Sequence, residues 1–216
     1  MHAVRFDSVS GAIERLAEGY SVVIVDPVNA PEEGELVFAA ERATAAHVAF
    51  MVRHTAGFVR TAITAETAAR LCLPPMAYVH ANGAGSAFTV TVDASEATST
   101  GISARDRART IRVLADPVAG PDELTRPGHI VPVRVRDGGV LACPGRAEAA
   151  VDLVRLAGAG TAAALCPIVS ESRPVRLAMP QELRAFCDRH GLVLVTVQDV
   201  VARLSCSGER IAKAAS

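Results

Sequence analysis

The run Asp26-Pro-Val-Asn-Ala-Pro-Glu-Glu-Gly-Glu-Leu36 sets the carboxylates of Asp26, Glu32, Glu33 and Glu35 between two apolar runs, Val22-Val-Ile-Val25 and Leu36-Val-Phe-Ala39. A short acidic loop between strands is the sort of place where a metal ion or a sugar hydroxyl is held. Taken alone, it reads first as a solvated hairpin loop. A second chemistry-bearing run is Thr98-Ser-Thr-Gly-Ile-Ser103, which leads into Ser103-Ala-Arg-Asp106. Hydroxyls beside free N–H groups at a helix start make an anion site for a phosphate or carboxylate. Standing alone, such a run is more often an ordinary N-cap. Cys72, Cys143, Cys166, Cys187 and Cys206 are odd in number and widely spaced, with no CxxC pair. They indicate neither a disulfide framework nor a zinc site. Cys143 and Cys166 read as small buried residues rather than nucleophiles.

The elements that must position these residues follow from periodicity and punctuation. Asp7 to Gly19 reads as a helix with Ile13, Leu16 and Ala17 on one face. Ser21–Val25 is a β-branched run without alternation, which suits a strand buried on both faces. A strand is expected at Leu36–Ala40, and Thr44 caps a helix that runs to Ala56 before Gly57. A short strand, Phe58–Ile63, precedes a small helix capped by Thr64, which Leu73-Pro-Pro-Met76 breaks. Asn82–Ser86 is a flexible loop, and Ala87–Asp93 alternates as a strand should. A helix runs from Ser103 to about Ala115, then a loop from Asp116 to Pro127. Arg126-Pro-Gly-His129 enters a strand at Ile130–Val135, Asp137–Gly139 turns, and Leu141–Arg146 is irregular. Ala147–Ala157 is helical, Ala162–Val169 a buried strand, Pro180 to Gly191 a helix with its stop, Leu192–Val197 a strand and Gln198–Leu204 a last helix. Residues 205–216 read as a flexible tail. The mixture of strands and helices supports a single α/β or α+β domain around one twisted sheet, with its core over residues 7–204.

Composition narrows the partners. The 216 residues carry a formal net charge of -1, and half of them are apolar. There is no basic stripe with interleaved aromatics, so nucleic acid is not expected. No apolar run is long enough to span a membrane, and Met1–Asp7 lacks an apolar signal core. A reducing cytoplasm is the expectation.

Six runs are more specific: Met51-Val-Arg-His-Thr-Ala-Gly57, Leu73-Pro-Pro-Met76, Phe88-Thr-Val-Thr-Val92, Thr100-Gly-Ile-Ser-Ala-Arg-Asp-Arg107, Arg126-Pro-Gly-His129 and Gly138-Gly-Val-Leu141. Through them the chain, from about Ala12 to Leu204, resembles the 3,4-dihydroxy-2-butanone 4-phosphate synthase family of riboflavin biosynthesis. The resemblance implies an α+β fold with a mixed, twisted sheet flanked by helices, and a homodimer with active sites near the subunit interface. It also implies conversion of ribulose 5-phosphate to the four-carbon phosphate and formate with magnesium or manganese.

Residue by residue, the resemblance maps the family's acidic run, Asp-Arg-Glu-Asn-Glu-Gly-Asp, onto Asn29-Ala-Pro-Glu-Glu-Gly-Glu35. The substrate arginine falls on Ala30 and the metal-binding glutamate on Pro31, while Glu33 is kept and Glu35 stands for the aspartate. Sliding the match by one brings Glu32 near the metal position. The family's Arg-Gly-Gly-His-Thr-Glu-Ala becomes Cys143-Pro-Gly-Arg-Ala-Glu-Ala149, so the metal-binding histidine is Arg146. The substrate-contacting arginine and threonine are Cys143 and Ala147. The late glutamate is Pro167, and His129 is kept. Proline offers no ligand atom, and a guanidinium offers no lone pair. These losses predict a diverged, metal-independent lyase or isomerase with no cofactor, acting on a sugar phosphate or a related polyol or keto compound. His129 is then the acid or base, with Glu33 or Glu35 opposite. Arg146 stabilises an enediolate oxygen, Thr100, Ser103 and Arg107 hold a phosphate or carboxylate, and Cys143 and Glu148 complete the substrate contacts. A non-catalytic dimeric relative and the ordinary synthase are the alternatives, and a metal site rebuilt from Glu32, Glu33, Glu35 and Glu148 stays open.

Overall fold

The computed structural model describes residues 4–77 and 87–214, so the loop expected at Asn82–Ser86 lies outside the described residues. In chain order the elements are α1 (Val9–Ala17), β1 (Val22–Asp26), β2 (Ala30–Ala39), α2 (Ala45–His54), β3 (Arg60–Ile63), α3 (Ala65–Arg70), β4 (Val92–Ala94) and α4 (Ala104–Ala115). They continue with β5 (Leu124–Arg134), α5 (Gly139–Ala142), α6 (Arg146–Leu156), β6 (Ala163–Pro167), α7 (Pro180–His190), β7 (Val193–Thr196) and α8 (Val197–Ala214). The four helices opening after Ser8, Thr44, Thr64 and Ser103 start alike: each hydroxyl accepts an N–H from three residues on. Such a cap satisfies a donor that the helix cannot.

The strands form a seven-stranded sheet in the order β4-β5-β3-β6-β2-β1-β7. The β1–β7 and β3–β5 pairs are parallel and the others antiparallel. The architecture is therefore the expected α+β arrangement of a mixed sheet between helices. Both faces are covered. Val23, Val25, Leu36 and Phe38 point into one core, shared with residues of α2, α4 and α7. Val22, Ile24, Val37 and Ala39 point into the other, shared with α1, α6 and α8. A strand buried on both faces needs apolar residues at every position, which is why Val22–Val25 shows no alternation. No helix among the described residues is long and apolar enough to cross a membrane.

Several boundaries differ from expectation, and two of them shape the site. The acidic run is mostly strand rather than loop. Asp26 pairs with Ala30 across a tight turn, and its carboxylate accepts the N–H groups of Val28 and Asn29, the Asn29 amide and the Gln198 amide. The turn is closed at Asn29, so β2 begins early, and after an irregular stretch Glu35 stands in register with Ile24 of β1 and Pro167 of β6. Strand β5 likewise begins at Leu124, where a loop was expected, because β4 supplies ladder partners to Leu124 and Thr125. The alternating run Ala87–Asp93 contributes Val92–Ala94 to β4, preceded by isolated bridges at Phe88 and Thr89. At the C-terminus, α8 continues to Ala214 through the segment expected to be a tail.

Helix α7 seats against β2 at Gly34, where an added Cβ would lie 2.4 Å from a Leu183 methyl. Only glycine lets the helix approach the strand that bears Glu33 and Glu35. The helix start is fixed by Glu182, whose carboxylate accepts Ser170 Oγ at 2.6 Å, Ser172 Oγ at 2.7 Å and the Met179 N–H at 3.0 Å, with Arg176 at 2.9 Å. The Ser170 hydrogen bond and these partners draw its pKa down to about 2. A depressed carboxyl contributes stability above its unfolded value and loses it as pH falls through the folded one. The Tm advantage of the wild type over Glu182→Gln is therefore expected at pH 6 and should shrink as the pH falls toward 2. A gap independent of pH in thermal melts would count against it.

Candidate active site

Glu35 sits on β2 beside Pro167 of β6, and Arg60 sits on β3 beside Leu165 of the same strand. The Arg60 guanidinium reaches across β6 and donates to both Glu35 oxygens, at 2.5 and 2.6 Å. Glu35 is only 2% exposed. Burial raises its carboxyl above the usual range, against the pull of Arg60. Two residues earlier on the same face of β2, Glu33 accepts a hydrogen bond from Arg146 at the start of α6. Arg146 Nε also lies 3.6 Å from Glu35. Burial lowers the pKa of Arg146 while the nearby Asp26 carboxylate raises it. The result is an alternating cluster of two carboxylates and two guanidinium groups over one end of β2.

A second cluster forms where β4, β5 and the start of α4 meet. His129 Nδ1 lies 2.6 Å from Asp93 Oδ2, and the His129 backbone N–H donates to Asp93 Oδ1 at 2.9 Å. The imidazole is 40% exposed and the Asp93 side chain 11%. Gly101 closes against the pair with φ +81°, and a Cβ there would lie 2.0 Å from Asp93 Oδ2. Below it, Arg107 is buried, with Nε unpartnered. Burial lowers its pKa, and the Cys166 and Asp93 groups facing it act in the opposite direction.

The expected site residues divide between the clusters. Glu33, Glu35 and Arg146 come together, whereas His129 pairs with Asp93 rather than with either glutamate. Thr100 is exposed beside the second cluster. Ser103 caps α4 through the Asp106 N–H. The anion expected at this helix start has an internal counterpart: the Asp106 carboxylate takes the Ser99 hydroxyl and the Gly101 N–H. Glu148 does not pair with Arg146. It accepts the Arg136 N–H at 3.2 Å and fills the space beside Gly145. Cys143 is half-buried, and Cys166, whose thiol burial pushes up to about 11, accepts a hydrogen bond from Thr55. Arg60 and Asp93 were not anticipated. A lone arginine inside the apolar strand run Phe58–Ile63 was the available signal for the first, since a buried charge calls for a partner.

As placed, the carboxylates of the first cluster pair with guanidinium groups rather than gathering around a divalent cation. Among the described residues no three His, Cys, Asp or Glu side chains are grouped to hold one, and both carboxylates of the first cluster are engaged by guanidinium groups. Of Pro31 and Glu32 only the strand backbone is described.

Residues 10–203 match the family model for 3,4-dihydroxy-2-butanone 4-phosphate synthase, and the chain belongs to that family. Its members are lyase-type enzymes. The riboflavin biosynthesis protein RibBA of Nocardia farcinica is 50% identical over 198 residues, covering 92% of this chain and 48% of that protein. RibBA of Salinispora arenicola is 50% identical over 197 residues, covering 91% and 46%. The chain thus spans about half the length of these curated relatives. A solved 3,4-dihydroxy-2-butanone 4-phosphate synthase in complex with two magnesium ions superposes with TM-score 0.86 at 39% identity, covering 94% of this chain and 99% of that one. A cation-free form of such a synthase gives 0.84 at 38%, covering 94% and 100%.

These findings correct two expectations. Relatives with half their residues in common across nine-tenths of the chain support the ordinary synthase, not a diverged metal-independent lyase or isomerase. The magnesium-bound structure equally overturns the expectation of no cofactor. The error was to let a few positions decide. Pro31 and Arg146 do lack ligand atoms, but two carboxylates remain together beside them on β2, and the sequence outside those positions follows the synthases closely.

Proposed function

We propose that this chain carries out the ordinary reaction of its family, converting ribulose 5-phosphate to 3,4-dihydroxy-2-butanone 4-phosphate and formate. The reading includes a single domain, a cytoplasmic homodimer and a requirement for magnesium, the last taken over from the magnesium-bound relative. Its main support is the 50% identity to riboflavin-biosynthesis proteins over 92% of the chain.

The side chains can be given work in this reaction. Enolisation, dehydration and loss of a carbon as formate all move protons on carbons that bear oxygens. An imidazole, which can both accept and donate a proton, is suited to that. His129 is engaged at Nδ1 and 40% exposed, which leaves Nε2 for proton exchange with substrate. Glu33, with 44% of its side chain exposed, is the carboxylate open to substrate. Glu35, buried and tied to Arg60, serves instead to hold the cations of the first cluster. Arg146, Thr100 and Arg107 provide donors for phosphate and hydroxyl oxygens. Ser103, Cys143 and Glu148 shape the loops around them. Magnesium, where bound, would supply Lewis-acid polarisation of substrate oxygens.

Incubation with ribulose 5-phosphate, followed by assay of formate and the four-carbon phosphate, tests the reading. Formate release that depends on magnesium and stops with EDTA is expected. No formate with magnesium present would overturn it.

A further inference from the structure

We infer that His54 and His190 together form a binding site for one divalent transition ion of the zinc, nickel or copper type, which would clip α2 to α7. Each is the last residue of its helix, and the two ring centres stand 4.8 Å apart. An ion bonded at about 2.0–2.1 Å to one nitrogen of each ring sees ring centres at that spacing under an angle of roughly 100°. That lies between the cis angle of square-planar or octahedral sites and the tetrahedral one, and imidazole is a ligand that zinc, nickel and copper share. Neither ring makes a hydrogen bond among the described residues, so no protein group there claims the nitrogens. The pair belongs to neither cluster of the candidate active site.

The surroundings hold the two rings in place. Each helix carries a phenylalanine one turn before its histidine: Phe50 and His54 lie 4.6 Å apart between ring centres, and so do Phe186 and His190. The pairs also cross, with Phe50 5.2 Å from His190 and Phe186 6.2 Å from His54. Packing of this kind restricts the rings before any ion arrives, which lowers the entropy lost on binding. Two helix C-termini face one another here, and their partial negative charge favours a cation. The charged groups around His54 are Arg53, Arg189 and Glu171. Arg189 is held by both oxygens of Glu171, each at 2.8 Å, which offsets its charge, and Arg53 is exposed. Burial, with His190 and Arg53, holds the His54 imidazole below its usual range. It is therefore neutral near pH 7, as a metal ligand must be.

Zinc and nickel salts, added to metal-free protein at neutral pH, test the inference, and NMR of histidine-labelled protein reads which rings respond. Zinc should shift the ring signals of His54 and His190 together, and nickel should broaden both. Magnesium, which prefers oxygen ligands, should move neither. The melting temperature should rise by about 3–8 °C at zinc concentrations about 10- to 100-fold above Kd. That rise should shrink in His54→Gln and in His190→Gln but not in His129→Ala, which separates this pair from any ion held among the substrate residues. It should also fade below about pH 6, as protons take the imidazoles. Melts in EDTA establish that each variant is folded before metal is added. A saturating zinc titration that moves neither ring, or only one of them, overturns the inference, and so does a rise in melting temperature that either single variant keeps in full.

Discussion

His129→Ala should lower formate release from ribulose 5-phosphate by about 10²- to 10⁴-fold, the usual contribution of one positioned acid or base. The loss should fall on kcat, because the imidazole is asked to move protons in the transition state rather than to bind the ground state. The fold should tolerate the change. The ring is 40% exposed, and the backbone N–H of residue 129 still reaches Asp93. That bond keeps a donor on the Asp93 carboxylate, so it is not left without a partner. Unfolding midpoints close to wild type, with turnover nearly gone, are the expected pair of results. Turnover within tenfold of wild type would remove His129 from the chemistry. Proton transfer would then have to come from Glu33, the exposed carboxylate of the other cluster.

How far this could be read in the chain depended on whether the signal was local. Ser103 caps α4, and the helix stops at Ala115 as its pattern predicts. Pro180 and Gly191 bracket α7 as such residues usually do. Both signals act within one turn of backbone. The start of β2 was illegible because Asn29-Ala-Pro-Glu-Glu-Gly carries loop residues in a strand. What holds it extended is Asp26, which closes the turn through bonds that reach as far as Gln198. The site shows the same division. His129, Glu33 and Arg146 could be picked out by type and by resemblance. Their partners could not, because Arg60 meets Glu35 across an intervening strand and Asp93 meets His129 from a neighbouring one. The inference that went astray, from Pro31 and Arg146 to a lost reaction, treated ligand positions as independent of the carboxylates around them.

Arg60→Met should destabilise the fold by about 3–5 kcal/mol, the cost of leaving a buried carboxylate without its partner. Glu35 is 2% exposed and receives both of its short hydrogen bonds from Arg60. What remains is Arg146 Nε at 3.6 Å, too long for a hydrogen bond. Arg60 already falls short of offsetting burial, since the Glu35 carboxyl stays above the usual value of 4.5. Without the guanidinium it must rise further. The sign of the pH dependence follows. Below the unfolded value both states hold the proton, and burial of the neutral acid costs little. As pH rises through the raised folded value, the folded state either keeps the proton or ionises in a poor environment, and stability falls. Denaturant unfolding should therefore show the loss in Arg60→Met at its largest near neutrality and diminished toward pH 4.5. The double variant Arg60→Met, Glu35→Leu removes both charges and should recover most of the stability, because a buried pair replaced by apolar groups is often neutral. It should not recover formate release. Arg146 would lose its nearby buried carboxylate and keep only the more exposed Glu33 as its anchor. A single variant as stable as wild type at neutral pH would mean that Glu35 is buried as the neutral acid with Arg60 merely beside it.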